Sequence, residues 1–166
     1  MEIRKATRDD VPAWFELVYA VKSENLTTLF GMTTPLTPQS SAQYLEKLLS
    51  VEGSFLLVCF EGSRAIGSLD CVRYERPEQR HVATLAMCVT RDWRGRGIGR
   101  QLLQTCIELC KTEGFIEKLE LEVFSNNPGA ISLYRSLGFE MEGVRTGSIR
   151  KAGKPLDLIC MGKWLS

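Results

Sequence analysis

The chain has 166 residues, of which 44% are hydrophobic and 25% are charged, with 21 Lys and Arg against 20 Asp and Glu. This length and composition suit one compact core, so we expect a single domain over residues 1–166. The formal net charge of +1 excludes a global attraction to nucleic acid or to an anionic membrane, and any charge-based function has to be local.

The amino terminus and the cysteines indicate the cellular setting. Residues Met1 to Lys5 lack the apolar run of a signal peptide, and no stretch reaches the roughly 20 apolar residues of a membrane span. We therefore expect a cytoplasmic protein with no membrane partner. The six cysteines are scattered and mostly flanked by aliphatic residues, which favours reduced, buried thiols and predicts no bound metal.

The first third of the chain predicts a strand and two helices. Residues Glu2 to Ala6 favour a strand, and the polar segment from Thr7 to Asp10 can cap a helix with apolar residues at helical spacing. Thr37 followed by Pro38 predicts the start of a second helix. The segment 23–38 between the helices is rich in Thr, Pro and Gly, and we predict a lid or a substrate loop there.

Three further strands are predicted between residues 55 and 89. The apolar runs Phe55–Phe60 and Ala65–Val72 are separated by Glu61-Gly62-Ser63-Arg64, a pattern typical of a β-hairpin. Residues Val82 to Val89 are apolar and rich in β-branched side chains. This third strand leads directly into a glycine-rich segment.

Helices and strands continue to alternate in the second half. Lys118 to Phe124 has the two-residue period of a strand with one buried face, which places Glu122 opposite the leucines. The other predicted elements are a long amphipathic helix from Ile98 that stops at Gly114, a short helix after the Asn127-Pro128 cap, an extended segment from Phe139, and a final strand over Leu156–Lys163. This order predicts an α+β (α/β mixed) fold class in which strands outnumber helices.

Glycines at positions 95, 97 and 99 separate the third strand from the long helix. Without Cβ atoms the backbone can approach a ligand closely, and the amides of a helix N-terminus attract an anion such as a pyrophosphate. The neighbouring arginines at 94, 96 and 100 add positive charge. An ordinary structural turn is the alternative. The spacing does not fit a dinucleotide-binding G-x-G-x-x-G or a P-loop, and the nearly neutral chain argues against a nucleic-acid partner.

Two longer patterns follow one another along the chain. The first is Arg94-x-x-Gly97-x-Gly99, and the second is Val123-x-x-x-Asn127-x-x-Ala130-x-x-Leu133-Tyr134-x-x-x-Gly138-Phe139. In this order they resemble the two hallmark motifs of the GNAT family of N-acetyltransferases. The segment Ile3–Ala6 with Asp9 and Asp10, and the segment Asp157–Trp164, are similar to the first strand and helix and to the closing strand of that family, so the resemblance covers nearly the whole chain.

The resemblance implies a fold and a co-substrate. The GNAT fold has a central, mostly antiparallel sheet of about seven strands, splayed at the acetyl-CoA site and flanked by about four helices. Acetyl-CoA would lie in the gap between the strand before the glycine loop and the strand that ends near Val123. The residues that the resemblance places against it are Met87, Cys88 and Val89 for the pantetheine arm, Arg94, Gly95, Arg96, Gly97, Ile98, Gly99 and Arg100 for the pyrophosphate, and Asn127 and Tyr134.

The implied reaction moves an acetyl group from acetyl-CoA to a primary amine of a small molecule or a protein N-terminus by direct transfer. It needs a neutral amine, a polarised thioester carbonyl and a proton for the leaving thiolate. The resemblance makes Tyr134 the acid, with a packed core aromatic as the alternative. Glu122 matches the base of ribosomal-protein N-terminal acetyltransferases, with an exposed strand carboxylate as the alternative. Asn127 also suits a helix cap, and a strand amide near Cys88 would meet the oxyanion.

Function and partners have alternatives too. A catalytically weak protein that binds or senses acyl-CoA would keep the same loop. The family takes its acceptor specificity from segments that correspond to 24–45 and 143–156 here, and neither segment carries a diagnostic motif. Many members pair through the same elements, so we expect a homodimer on the resemblance alone.

Overall fold

The structure is a computed structural model that describes residues 1–24 and 36–165. The core of the predicted lid or substrate loop, and with it much of the predicted acceptor segment 24–45, lies outside the described residues. The described part contains seven strands and four α-helices: β1 Glu2–Lys5, α1 Val11–Ser23, α2 Pro38–Ser50, β2 Phe55–Glu61, β3 Arg64–Arg73, β4 Val82–Val89, α3 Ile98–Glu113, β5 Lys118–Phe124, α4 Pro128–Ser136, β6 Glu140–Lys151 and β7 Lys154–Trp164. The predicted elements are confirmed, with small differences at their ends.

One sheet holds all seven strands in the order β1-β2-β3-β4-β5-β7-β6. Every neighbouring pair is antiparallel except β4 and β5, which are parallel. The β4–β5 ladder joins only Val82–Leu85 to Lys118–Leu121, and beyond Leu85 the two strands diverge. The mostly antiparallel, splayed sheet expected from the resemblance is confirmed.

The sheet has a hydrophobic core on each face. Helices α3 and α4 cover one face, where Leu69, Leu119 and Leu121 are buried together with Leu102 of α3. Helices α1 and α2 cover the other face, where Trp14 and Leu45 pack against strand residues such as Val58. Because side chains alternate along a strand, the neighbours of Leu69 and Leu121 project towards the α1–α2 face.

Local sequence features explain where three helices begin. The Thr37 hydroxyl accepts a hydrogen bond of 3.0 Å from the Ser40 amide at the start of α2, and Asn127 Oδ1 accepts one of 3.2 Å from the Ala130 amide at the start of α4. Helix α3 starts after Gly97 in the left-handed region. None of the helices in the described part of the chain is long and apolar enough to cross a membrane.

Candidate active site

The glycine loop is shaped by backbone conformation at two positions and by packing at the third. Gly95 has φ +73° and Gly97 has φ +81°, conformations that side chains with a Cβ rarely adopt. At Gly99 a Cβ would lie 3.2 Å from Met87 Cε and 3.3 Å from Leu133 Cδ2. The third glycine therefore allows α3 to lie close to β4 and α4, in addition to any contact with a ligand.

The three arginines of the loop have partners within the protein. Arg94 donates to both carboxylate oxygens of Glu24, at 2.8 and 3.0 Å, and from Nε to the Val89 carbonyl at 2.9 Å. Arg96 lies over the Trp93 ring, and Arg100 donates to Ser136 Oγ at 2.7 Å. The Arg94–Glu24 ion pair attaches the loop to the end of α1 and offsets the Arg94 charge, while the contacts of Arg96 and Arg100 fix two further guanidinium groups near the loop.

A cavity of about 650 Å³ opens beside this loop. Of the predicted cofactor residues, only Arg96 is absent from its described lining. The predicted cofactor residues that line the cavity are Met87, Cys88, Val89, Arg94, Gly95, Gly97, Ile98, Gly99, Arg100, Asn127 and Tyr134. Residues that are up to 47 positions apart in sequence are therefore brought to one cavity, at the N-terminus of α3, where backbone amides and the helix dipole favour an anion.

A second cavity of about 520 Å³ lies at the divergence of β4 and β5. Its lining shares Met87, Asn127, Ala130 and Tyr134 with the first cavity. The predicted base, Glu122, also lines it. The two cavities therefore adjoin in the gap that the diverging strands leave open.

Tyr134 stands where the cavities adjoin. Its side chain is buried and contacts Phe139 edge to face, with ring centroids 5.9 Å apart. Burial raises the pKa of the Tyr134 phenol to about 12, because the charged phenolate is poorly solvated there. The phenol is therefore protonated at neutral pH and available as a proton donor.

Glu122 forms an ion pair across the sheet. Its Oε1 lies 2.7 Å from Arg145 Nη1, so that the pair joins β5 to β6 at the edge of the second cavity. The Glu122 side chain is one-third exposed. The alternation along β5 correctly predicted its orientation, but the long-range pairing with Arg145 carries no sequence signal.

Asp70 is a cavity carboxylate that the sequence reasoning missed. It lies in β3 among apolar residues, is 3% exposed, and lines the second cavity. Its Oδ2 accepts a hydrogen bond of 2.6 Å from Tyr44 Oη of α2, and its Oδ1 has no partner among the described residues. Burial raises the pKa of this carboxyl to about 6, although the Tyr44 hydrogen bond opposes the shift. A lone acidic residue between the apolar residues Leu69 and Cys71 of a predicted strand was the signal that could have found it.

Three cysteines that are far apart in sequence lie together in the core. The sulfur atoms of Cys71, Cys106 and Cys110 are all within 4.8 Å of one another. The predicted burial is confirmed for these three, for Cys59 and for Cys88, while Cys160 is half-buried. A structural zinc site uses four ligands and this cluster supplies three, so the absence of a metal stays a prediction.

Known proteins resemble the chain in sequence and in structure. The sequence pattern of the acetyltransferase (GNAT) family matches residues 19–139. The L-amino acid N-acetyltransferase of Escherichia coli K12 is 32% identical over 108 residues, which are 65% of this chain and 66% of that protein. The match therefore spans just under two thirds of the length of this relative.

Solved structures share the whole architecture. The crystal structure of ribosomal-protein-alanine N-acetyltransferase from Brucella melitensis superposes with a TM-score of 0.87 and 30% identity, covering 99% of each chain. A phosphinothricin acetyltransferase from Sinorhizobium meliloti, solved in complex with acetyl-CoA, has a TM-score of 0.86 at 24% identity and covers 99% of this chain and 88% of its own. The second likeness is one of fold.

Proposed function

The chain belongs to the acetyltransferase (GNAT) family and has its α+β fold, and from this premise we propose that it transfers an acetyl group from acetyl-CoA directly to a primary amine. The amine would belong to a small molecule or to a protein N-terminus. The proposal rests on two adjoining cavities that share Tyr134, one beside the anion-binding loop and one lined by carboxylates. Such an arrangement lets donor and acceptor meet in one gap.

The acetyl-CoA site is proposed from backbone groups. The amides of residues 95–100 would bind the pyrophosphate at the start of α3. The ladder with β5 ends at Leu85, so the backbone of Met87, Cys88 and Val89 has no β5 partner within the described sheet. A pantetheine arm, which carries amide groups of its own, can add to that edge as an extra strand would.

Tyr134 is proposed as the acid that protonates the leaving thiolate. A phenol with a pKa of about 12 is a weak donor towards an exposed thiolate, whose ordinary pKa is about 8.5. Desolvation in the same gap raises the pKa of the thiol as well, which reduces the difference between the pKa values of the phenol and the thiol. An amide near Cys88 is proposed to stabilise the oxyanion.

Glu122 is the proton acceptor that the resemblance implies. It faces the second cavity, which we propose as the binding site of the amine and call the acceptor cavity, and its negative charge favours an ammonium there. The Arg145 guanidinium lies 2.7 Å from the Glu122 carboxylate. This ion pair stabilises the ionised carboxylate and therefore opposes its protonation by the acceptor.

The acceptor is proposed to be cationic before reaction. The described lining of the acceptor cavity contains four carboxylates and one guanidinium: Asp70, Glu120, Glu122 and Glu142, with Arg145. Arg145 pairs with Glu122, and Lys118 behind the lining pairs with Glu120 and Glu142. Two cations against four carboxylates leave a net negative surface, on which Asp70 has no cationic partner among the described residues. An ammonium is attracted to such a surface. The E. coli relative acts on L-amino acids and the B. melitensis protein on ribosomal-protein alanine, so free amino acids and peptides that begin with alanine are the acceptors to test first.

We also propose a single domain over residues 1–166, a cytoplasmic location and a homodimer. The continuous seven-stranded sheet supports the first. The edge strand β6 exposes Met141 and Val144, a surface that supports pairing of two copies. Sedimentation at several protein concentrations tests the dimer.

An amine panel tests the proposed reaction. The protein is incubated with acetyl-CoA and, separately, each L-amino acid, several polyamines and a peptide beginning with alanine, and free thiol is followed over time. We expect at least one amine to raise thiol release well above the amine-free rate. Binding of acetyl-CoA without release for any amine would support the alternative, an acyl-CoA-binding protein without transferase activity, and contradict the proposal.

A further inference from the structure

Asp70 combines deep burial with an unpartnered oxygen at a cavity wall. One oxygen is bound by Tyr44, and the other has no hydrogen-bond partner among the described residues. Buried polar atoms are nearly always satisfied. An unsatisfied carboxylate oxygen in the wall of a cavity therefore points to a ligand that donates a hydrogen bond.

The position of Asp70 in the sheet brings it near the reacting groups. It lies opposite Ala86 in the β3–β4 ladder, and the preceding Leu69 lies opposite Met87. Side chains directly opposite in antiparallel strands have Cβ atoms about 5 Å apart. Asp70 thus stands one residue from the stretch of β4 that the proposed function gives to the pantetheine arm and the oxyanion.

We propose that Asp70 binds the ammonium group of the acceptor and accepts its proton. This inference rests on the proposed acetyl transfer and assigns the base of that reaction. Asp70 suits the role better than Glu122, because no guanidinium is paired with it in the described structure, whereas Glu122 is held by Arg145. Tyr44 orients the carboxylate through Oδ2 and leaves Oδ1 for the acceptor.

The proposed transfer begins at the ammonium group of the acceptor. One N–H proton of the ammonium passes to Asp70 Oδ1, and the freed lone pair of nitrogen attacks the thioester carbonyl carbon. The C–S bond then breaks, and the thiolate takes a proton from Tyr134. The amide nitrogen loses its second proton, which restores Tyr134 through solvent, and Asp70 returns its proton to water.

The electrostatic surroundings of Asp70 allow a base that works near neutral pH. Burial raises its pKa to about 6, so the carboxylate is mostly ionised at pH 7 and still able to accept a proton. From α1 and β2 the neighbours are uncharged, Trp14 and Leu56. The titratable and charged groups that face it from the other described elements and across the cavity are Tyr44, Tyr74, Cys88, Glu120, Glu122, Tyr134, Glu142, Arg145 and Cys160.

The pH dependence of kcat/KM for the amine, at saturating acetyl-CoA, tests the assignment with the amino acids and the alanine peptide of the panel as probes. The wild-type protein should react with the ammonium form, which gives an acid limb near pH 6 and a plateau up to the pKa of the amine. In Asp70→Asn only the neutral amine can react. We expect at least a 100-fold loss at pH 7, no limb near pH 6, and a rate that climbs with pH towards the pKa of the amine.

Two further variants separate a base from a structural carboxylate. Tyr44→Phe removes the hydrogen bond that lowers the pKa of Asp70, so the acid limb should move to higher pH. Glu122→Gln should keep the limb. A limb that stays in Asp70→Asn, or disappears in Glu122→Gln, overturns the proposal. If Asp70→Asn fails to fold, as judged by acetyl-CoA binding, Tyr44→Phe decides. An acid limb of kcat/KM at the same pH in Tyr44→Phe as in wild type would then overturn the proposal.

Failure of this inference is distinguishable from failure of the proposed function. A wild-type protein that acetylates none of the amines contradicts the transferase itself and the role of Asp70 with it. A wild-type protein that acetylates an amine while Asp70→Asn keeps the same pH profile contradicts only the role of Asp70.

Discussion

Tyr44 of α2 donates its phenolic hydrogen to Asp70 of β3 across a distance of 2.6 Å, at the wall of the acceptor cavity. Among the described residues, this is the one hydrogen bond given to the buried Asp70 carboxylate, because Oδ1 has no partner. Burial of an ion with so little compensation destabilises a fold. We therefore interpret the Tyr44–Asp70 pair as a functional feature whose destabilising effect is offset by the rest of the fold.

Asp70→Asn should change stability in a pH-dependent way. The pKa of Asp70 is raised from 3.8 to about 6 in the folded protein, so folding loses stability as the pH rises from about 4 through 6. Asparagine keeps an oxygen for Tyr44 and has no such loss. We therefore expect the difference in unfolding free energy between the variant and wild type to shift by about 2 kcal/mol in favour of the variant from pH 4.5 to pH 8. Urea unfolding at the two pH values measures this, and a pH-independent difference would contradict the shifted pKa.

Tyr134→Phe should lower kcat and leave acetyl-CoA binding nearly unchanged. The variant keeps the ring packed on Phe139 and removes only the acidic proton. General acid catalysis accounts for about 100-fold to 10,000-fold in rate, and we expect a loss within that range. Steady-state thiol release together with calorimetric titration of acetyl-CoA separates the two effects. Tyr19→Phe, at an exposed residue of α1, is the matched control, and equal rates for wild type and Tyr134→Phe would remove Tyr134 as the acid.

Gly97→Ala should weaken acetyl-CoA binding more than its effect on stability explains. Gly97 has φ +81° at the start of α3, and Gly114 has φ +71° at its end, each without close neighbours for a Cβ. Alanine therefore strains both positions by a similar amount, about 1 kcal/mol. Only Gly97→Ala should also lower acetyl-CoA affinity, by roughly 10-fold or more. Similar acetyl-CoA affinities for the two variants would contradict the proposal that the loop binds the cofactor.

Asp10→Asn should destabilise the fold at neutral pH. Arg4 donates two hydrogen bonds of 2.7 Å to the Asp10 carboxylate, which lowers its pKa from 3.8 to about 2. The ionised group therefore stabilises the folded state above pH 4, and this contribution is lost as the pH falls through about 2. We expect a loss of about 2 kcal/mol at pH 7 in urea unfolding. The control Asp9→Asn, at an exposed neighbour, should change stability by less than about 0.5 kcal/mol, and equal losses would contradict the ion-pair account.

Local patterns predicted the elements of the site, and long-range pairing determined the rest. The period of β5 was sufficient to orient Glu122, and the glycine spacing was sufficient to place a turn before α3. The cavity that joins them depends on where the β4–β5 ladder stops, after Leu85 and Leu121, and no single segment encodes that register. The pairing of Tyr44 with Asp70 and the meeting of Cys71 with α3 depend on tertiary packing in the same way.

A crystal structure of the protein with acetyl-CoA tests the central claim most directly, namely that the gap between β4 and β5 holds the acetyl donor against the acceptor cavity. We predict that the pyrophosphate contacts the amides of residues 95–100 and that the pantetheine arm pairs with Met87 to Val89. The acetyl group should lie beside Tyr134 and face the cavity that contains Asp70. Acetyl-CoA bound outside this gap, or with its thioester directed away from Tyr134, would contradict the account.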